Sequence, residues 1–281
     1  DARFVGLDLE KWLQEDLIDI LIAGGRYESE MTESFKEIVD LGHKYDVPVY
    51  PCIDWSFWSH WAFLDLGAAE HRRYESWLST LYGGQPARRG RPSYAVTFNS
   101  WEGTMAAWRA AATNLFNAGA DGIYTFNAFL SKHDLWREIG DPATMAGKDK
   151  VFGVDRFGGD SSFSDVCELE LTQGGRVSVH FQVGEDVESS NAAELRFRLH
   201  LWEFASNDDI EVKLNNEPLD DLKPAGPTQT DSAGQWLECQ LRSSQVNRGE
   251  NTVELVARKR DESMQTPLVL DAVQLHVHYK G

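Results

Sequence analysis

Gly119-Ala120-Asp121-Gly122-Ile123-Tyr124-Thr125-Phe126-Asn127 decides how the first half of this chain is read. A glycine closes a helical run, a short strand-forming run follows at once, and that run stops on an amide. The helix before it spans 101–118. Met105, Trp108, Leu115 and Phe116 supply its packing face, alanines let its remaining face approach a sheet closely, and Asn99 with Glu102 has the spacing of a capping box.

The same design recurs upstream. Phe4-Val-Gly-Leu-Asp-Leu9 reads as a short buried strand ending on a carboxylate, with one or two helical turns over 10–17. Residues 18–25 form a second strand, whose near-continuous aliphatic run implies cover on both faces. Phe35, Ile38, Val39 and Leu41 define an amphipathic helix over 31–45. Residues 47–54 form a third strand, and Pro48 and Pro51 place it where missing amide donors are tolerated. A further helix is predicted over 70–82, and 83–92 is a Gly-, Pro- and Arg-rich loop. Strand and helix alternating at this spacing imply parallel strands with crossover helices.

In parallel sheets chemistry gathers beyond the carboxyl ends of the strands. Here those ends are Asp8, Gly24-Gly25, Asp54-Trp55 and Asn127. A pair of carboxylates across a cleft is the minimum kit for glycosidic cleavage, one protonating the leaving oxygen while the other attacks or activates water. Asp54, Asp8 and Glu10 are the candidates; Asp8 equally suits a cap on the helix that follows it. Trp55 and Trp58 follow the third strand, where indoles either stack on sugar rings or pack against the sheet. Tyr124 and Phe126 share one face of the fourth strand, and Asn127 sits at its tip with an amide suited to hydroxyls. Tyr124 and Asn127 complete the expected substrate contacts.

Bulk properties narrow the classes. The 281 residues suffice for two domains, and 42% hydrophobic content supports real cores. A net charge of −18 argues against a nucleic-acid partner. No run is long enough to span a membrane. No phosphate loop, dinucleotide fingerprint or nucleophilic-serine motif occurs, His60, His71 and His133 lack ligand spacing, and no metal or cofactor is expected. Cys52, Cys167 and Cys239 lie far apart; a Cys167–Cys239 bridge and buried free thiols both remain open.

The runs at 4–13, 17–22 and 47–53, the stretch 117–127 and Leu135-Trp-Arg-Glu-Ile-Gly-Asp-Pro together resemble bacterial glycosyl-hydrolase-like proteins related to glycoside hydrolase family 10. The resemblance covers about residues 3–152. It implies that 1–150 is the C-terminal half, about the last four strands, of an eight-stranded (β/α) barrel. A missing N-terminal segment or a second chain would then complete the ring. In that register the strand over 47–54 is the seventh, where barrel glycosidases commonly place the nucleophile, which favours Asp54 over Asp8.

Beyond a connector over 140–164 helical periodicity vanishes. Strands are predicted over 165–171, 176–183, 194–203, 209–214, 235–241, 251–257 and 268–278, with a hairpin turn at Asn215-Asn216. Residues 151–281 therefore read as an antiparallel β-sandwich of the kind that binds carbohydrate or braces a barrel. Trp202 and Trp236 read as core, and the Arg196, Arg198, His200 row and the His276, His278 pair as solvated faces, with a sugar-acid or sulfate site on the arginines as the alternative. The expected function is a carbohydrate-active protein, a glycoside hydrolase acting on a polysaccharide and exported from the cell. The alternative is a non-catalytic carbohydrate-binding or cell-surface module on a barrel-derived scaffold.

Overall fold

The computed structural model describes residues 7–24, 33–54, 101–126, 134–155, 169–225 and 234–280. Its first part holds helix α1 (Leu9–Gln14), strand β1 (Leu21–Ala23), helix α2 (Glu33–Lys44), strand β2 (Val49–Asp54), helix α3 (Trp101–Asn117) and strand β3 (Tyr124–Phe126). The three strands are parallel in the order β1-β2-β3, with Ile22 beside Tyr50 and Cys52 beside Tyr124. Alternation sends Leu21, Ala23, Val49 and Ile53 into a core with Phe35 and Val39 of α2 and Met105, Trp108, Ala112 and Leu115 of α3. Each large apolar side chain so buried contributes about 1.5–3 kcal/mol. Gly42 permits the contact of α2 with β2, since a Cβ there would lie 2.3 Å from Val49 Cγ2.

Several expectations change. The expected barrel arc is, among the described residues, an open three-stranded parallel sheet. Of the predicted first strand only Leu7, Asp8 and Leu9 are described, and none is in a strand. β1 is three residues long and covered on one face only, leaving Ile22 exposed. β2 is the central strand despite its prolines. Asp121 N bonds Val49 O on the β3 side, so by alternation the amide that Pro51 lacks also faces that side, before the paired stretch of β3 begins. The predicted helix over 70–82 and the loop over 83–92 lie outside the described residues.

The connector is also structured. Short helices α4 (Asp134–Ile139) and α5 (Pro142–Met145) lead into strand β4 (Lys150–Asp155), which pairs antiparallel with the last strand of the chain. The remaining strands are β5 (Leu169–Leu171), β6 (Arg176–Val183), β7 (Glu194–Trp202), β8 (Asp209–Leu214), β9 (Glu217–Pro218), β10 (Lys223–Pro224), β11 (Gly234–Gln240), β12 (Gly249–Lys259) and β13 (Leu268–His278). They form two antiparallel sheets. One runs β10-β11-β7-β13-β4 with β5 also on β13; the other runs β6-β12-β8-β9. Their inner faces meet over Phe181, Phe197, Leu199, Leu214, Leu255, Val273 and Leu275. Asn215 and Asn216 both adopt positive φ, 51° and 68°, as the two-residue hairpin requires. Cys239 is a buried free thiol, pushed up to about 11 chiefly by burial; Cys167 lies outside the described residues.

A buried polar knot fixes β4. Lys150, 1% exposed, meets Glu185 at 2.9 Å, donates to Met145 O at 2.9 Å and lies over the Tyr279 ring, whose hydroxyl donates to Glu185 and accepts from Ser190. Removing one partner strands the other charge, so Lys150→Ala is expected to cost about 3–5 kcal/mol in urea unfolding. A second anchor is Asp121, whose Oδ2 accepts from Val49 N at 2.7 Å and pairs with His43 at 2.8 Å. Burial works to raise its pKa, but the Val49 amide and His43 outweigh burial and hold it below 3.8. The carboxylate is partly exposed, so Asp121→Ala is expected to cost about 1 kcal/mol at pH 7. A depressed carboxylate stabilises above its unfolded pKa, so the advantage of wild type over the variant persists at neutral pH. It is lost as pH falls through the lowered folded value, so unfolding followed from pH 7 into the acid range below 3.8 should show wild type and variant converging.

Candidate functional site

The carboxyl edge of the parallel sheet is where β2 ends on Asp54, in register with Phe126 of β3. Ile22, Tyr50, Cys52, Tyr124 and Phe126 occupy the sheet face opposite the helices. It is open and largely apolar, with Ile22 49%, Tyr124 39% and Phe126 48% exposed. Parallel sheets ordinarily bury both faces, so this one has the character of a binding surface. Tyr124 brings a hydroxyl to it. Strand alternation had already paired Tyr124 with Phe126; the contribution of Ile22 was missed because its aliphatic run read as covered on both sides.

The other predicted residues fall elsewhere. Asp8 is the N-cap of α1, where its Oδ1 accepts from Lys11 N at 3.2 Å. Glu10 accepts from Lys44 Nζ at 2.7 Å and from the Tyr45 hydroxyl at 3.2 Å. Lys44 closes α2 and Tyr45 opens the turn into β2, so Glu10 lies toward the amino end of the sheet. A strand rises about 3.3 Å per residue, so the six residues of β2 separate its two ends by roughly 17 Å. That exceeds the roughly 5–10 Å between paired glycosidase carboxyl groups. The ion pair with Glu10 also raises the pKa of Lys44, chiefly through their hydrogen bond. Trp55, Trp58 and Asn127 lie outside the described residues, so Tyr124 is the one expected substrate contact that can be placed. Among the described residues no three His, Cys, Asp or Glu side chains group as a metal site, and no helix is long and apolar enough to cross a membrane.

Comparison with known proteins finds no matching family model and no matching curated protein. Among solved structures the chain is similar to a β-porphyranase of glycoside hydrolase family 86 from the human gut bacterium Bacteroides plebeius, at 14% identity and a TM-score of 0.32. The match covers 47% of this chain and 21% of that one. A second family 86 enzyme, in complex with neoagarooctaose, matches at 16% identity and a TM-score of 0.31, over 47% of this chain and 19% of that one. A two-domain esterase active on acetylated mannans matches at 12% identity and a TM-score of 0.27, over 100% of this chain and 78% of that one. The hydrolase neighbours belong to family 86 and not to family 10, and at these scores the likeness fixes neither fold nor activity.

Because Phe126 is about half exposed, Phe126→Ser is expected to change unfolding free energy by less than about 1 kcal/mol. The same substitution should reduce binding of an apolar fluorescent dye such as ANS, which would show that this face is open in solution.

Proposed function

We propose that the chain is a carbohydrate-active protein, a glycoside hydrolase acting on a polysaccharide at the carboxyl edge of its parallel sheet. The observation that carries the reading is the pairing of β2 with β3, which sets Asp54 in register with Phe126, one residue before Asn127, beside an open face bearing Tyr124. Acid, aromatic and amide at adjoining strand ends is the composition that sugar cleavage uses. Asp54 takes the catalytic role, Tyr124 contacts substrate, and Trp55, Trp58 and Asn127 belong to the same strand-end loops. Asp8 and Glu10, engaged at α1, stand outside the reacting set. A polysaccharide substrate goes with an exported protein.

The second reading, a non-catalytic carbohydrate-binding or cell-surface module, is favoured by one specific observation. With Glu10 bound to Lys44 and Asp8 capping α1, neither is available as the partner carboxylate that hydrolysis needs. Reducing-end release from agar, porphyran, mannan, xylan and cellulose separates the two. Under the first reading Asp54→Asn lowers turnover on the active substrate by about 100- to 10,000-fold, the range for loss of an acid–base group. Unchanged turnover in Asp54→Asn would remove this residue from the mechanism. Binding without any hydrolysis by wild type would establish the second reading.

A further inference from the structure

The sandwich carries a polar face unlike the solvated surface that its sequence suggests. In the six-stranded sheet, Leu195, Phe197, Leu199 and Leu201 of β7, Leu237 and Cys239 of β11, and Val273, Leu275 and Val277 of β13 point into the core. The alternating residues line the opposite face in register. Trp236 stands beside His200, Glu238 beside Arg198 and then Gln274, and Gln240 beside Arg196 and then His276.

These heads are held in place. The Arg198 guanidinium lies 4.6 Å from the centre of the Trp236 ring. Its Nε is buried and makes no hydrogen bond, for although Glu238 Oε2 is 3.4 Å away it is out of line for one. Arg196 grips Glu194 Oε1 through Nε at 3.1 Å and a terminal nitrogen at 2.7 Å. His276 Nε2 donates to Gln274 Oε1 at 2.9 Å. Burial, with Arg198, His278 and Arg196 around it, lowers the His276 pKa to about 3, so its ring is neutral at physiological pH. His278 pairs with Asp149 at 2.9 Å. Where the face ends, Glu194 and Gln240 border a hollow of about 300 Å³ whose other walls are Val187, Ala192, Ala193, Leu195, Leu241 and Ser243, with Val187 and Leu195 reaching it from the core.

We propose that this face, from Arg198 to the hollow at Glu194 and Gln240, binds an uncharged saccharide chain. Each arginine stands against a glutamate, so neither offers an unpaired charge to an anion, while Lys223, opposite Glu238 on the edge strand, adds one positive charge at the margin. The face offers donors and acceptors in similar number, fixed by packing, which is what hydroxyl groups need because each can donate and accept. Its paired arginines disfavour a phosphate backbone. The ligand class rests on the carbohydrate reading above; the location rests on the sheet face alone.

Calorimetric titration of the full chain with cellohexaose, mannopentaose and neoagarooctaose, and with a heparin octasaccharide as the anionic arm, tests the proposal. The expected result is binding of at least one neutral chain and weaker or absent heparin binding. Arg198→Ala should weaken the neutral ligand at least about tenfold, and Arg196→Ala about threefold or more, as loss of charged hydrogen bonds predicts. Arg196 is 40% exposed at its side chain, so its variant stays folded and keeps the test valid if Arg198→Ala melts early. Preference for heparin, or neutral binding unchanged in Arg196→Ala, would overturn the inference while leaving the carbohydrate reading intact. Hydrolysis without sandwich binding would overturn this inference alone, and sandwich binding without hydrolysis would overturn the catalytic reading alone. No binding and no hydrolysis would overturn both.

Discussion

The structure depends on the two-sided packing of helix α3. One side carries Met105, Trp108, Ala112 and Leu115 into the core of the parallel sheet; the other carries Ala110 into the core of the sandwich. Close approach on the second side requires small groups. At Gly184 an added Cβ would lie 2.5 Å from Thr113 O, and Asn114 occupies the remaining contact by accepting from Gly184 N at 2.6 Å and donating to Gln182 O at 3.1 Å. Arg109 Nε meets Glu138 at 2.6 Å while its terminal nitrogen donates to Asp149 O at 3.1 Å, so α3, α4 and the start of β4 are tied together. Burial works to raise the Glu138 pKa, but Arg109 and Lys148 outweigh it and keep the carboxyl ionised. The two parts of the chain therefore share a wall and do not hang on a linker.

That wall shows what the sequence could and could not reveal. The alanines of 106–112 announced close packing against a sheet, but not that the sheet would be the sandwich. The strands of the second half were legible because each has one wet and one dry face, and β6, β8 and β13 fall on their predicted ranges. β4 was missed because Lys150-Val-Phe-Gly-Val-Asp buries a charge and carries a glycine where a Cβ would meet Val273 O. Both features are satisfied by partners more than a hundred residues away in sequence or by the Lys150–Glu185 pair, and no local pattern encodes them. Pro51 sits where a missing amide donor is tolerated, as expected, but the local sequence could not say where that would be. Its cost depends on which neighbour its missing amide faces, and that is a property of the register.

The candidate site divides the same way. Alternation in Tyr124-Thr-Phe126 was enough to place an aromatic pair on one face. Periodicity could not say that Glu10 would be taken by Lys44 and Tyr45, because those contacts depend on α1 folding back against the end of α2. A carboxylate near a strand in sequence is thus a poor guide to a carboxylate at its carboxyl edge. For Asp54 the parallel pairing of β2 and β3 places the backbone, which lies in register with Phe126 at the end of β2.

Charge decides between the two kinds of sugar that the sandwich face could take. The chain holds 45 acidic against 27 basic residues, so an anionic polymer meets repulsion before it meets a site. At the face itself a sulfate or carboxylate would have to displace Glu194 from Arg196 or Glu238 from beside Arg198, leaving a partly buried glutamate beside a new negative charge. A hydroxyl displaces nothing. A guanidinium has five N–H donors, and Arg196 spends two of them on Glu194, so oxygens of an uncharged ring can add to the pair without breaking it. The ion pairs that engage the two arginines also hold their planar heads still, and rigid, double-sided hydrogen bonding is the property by which a protein tells a sugar ring from an anion.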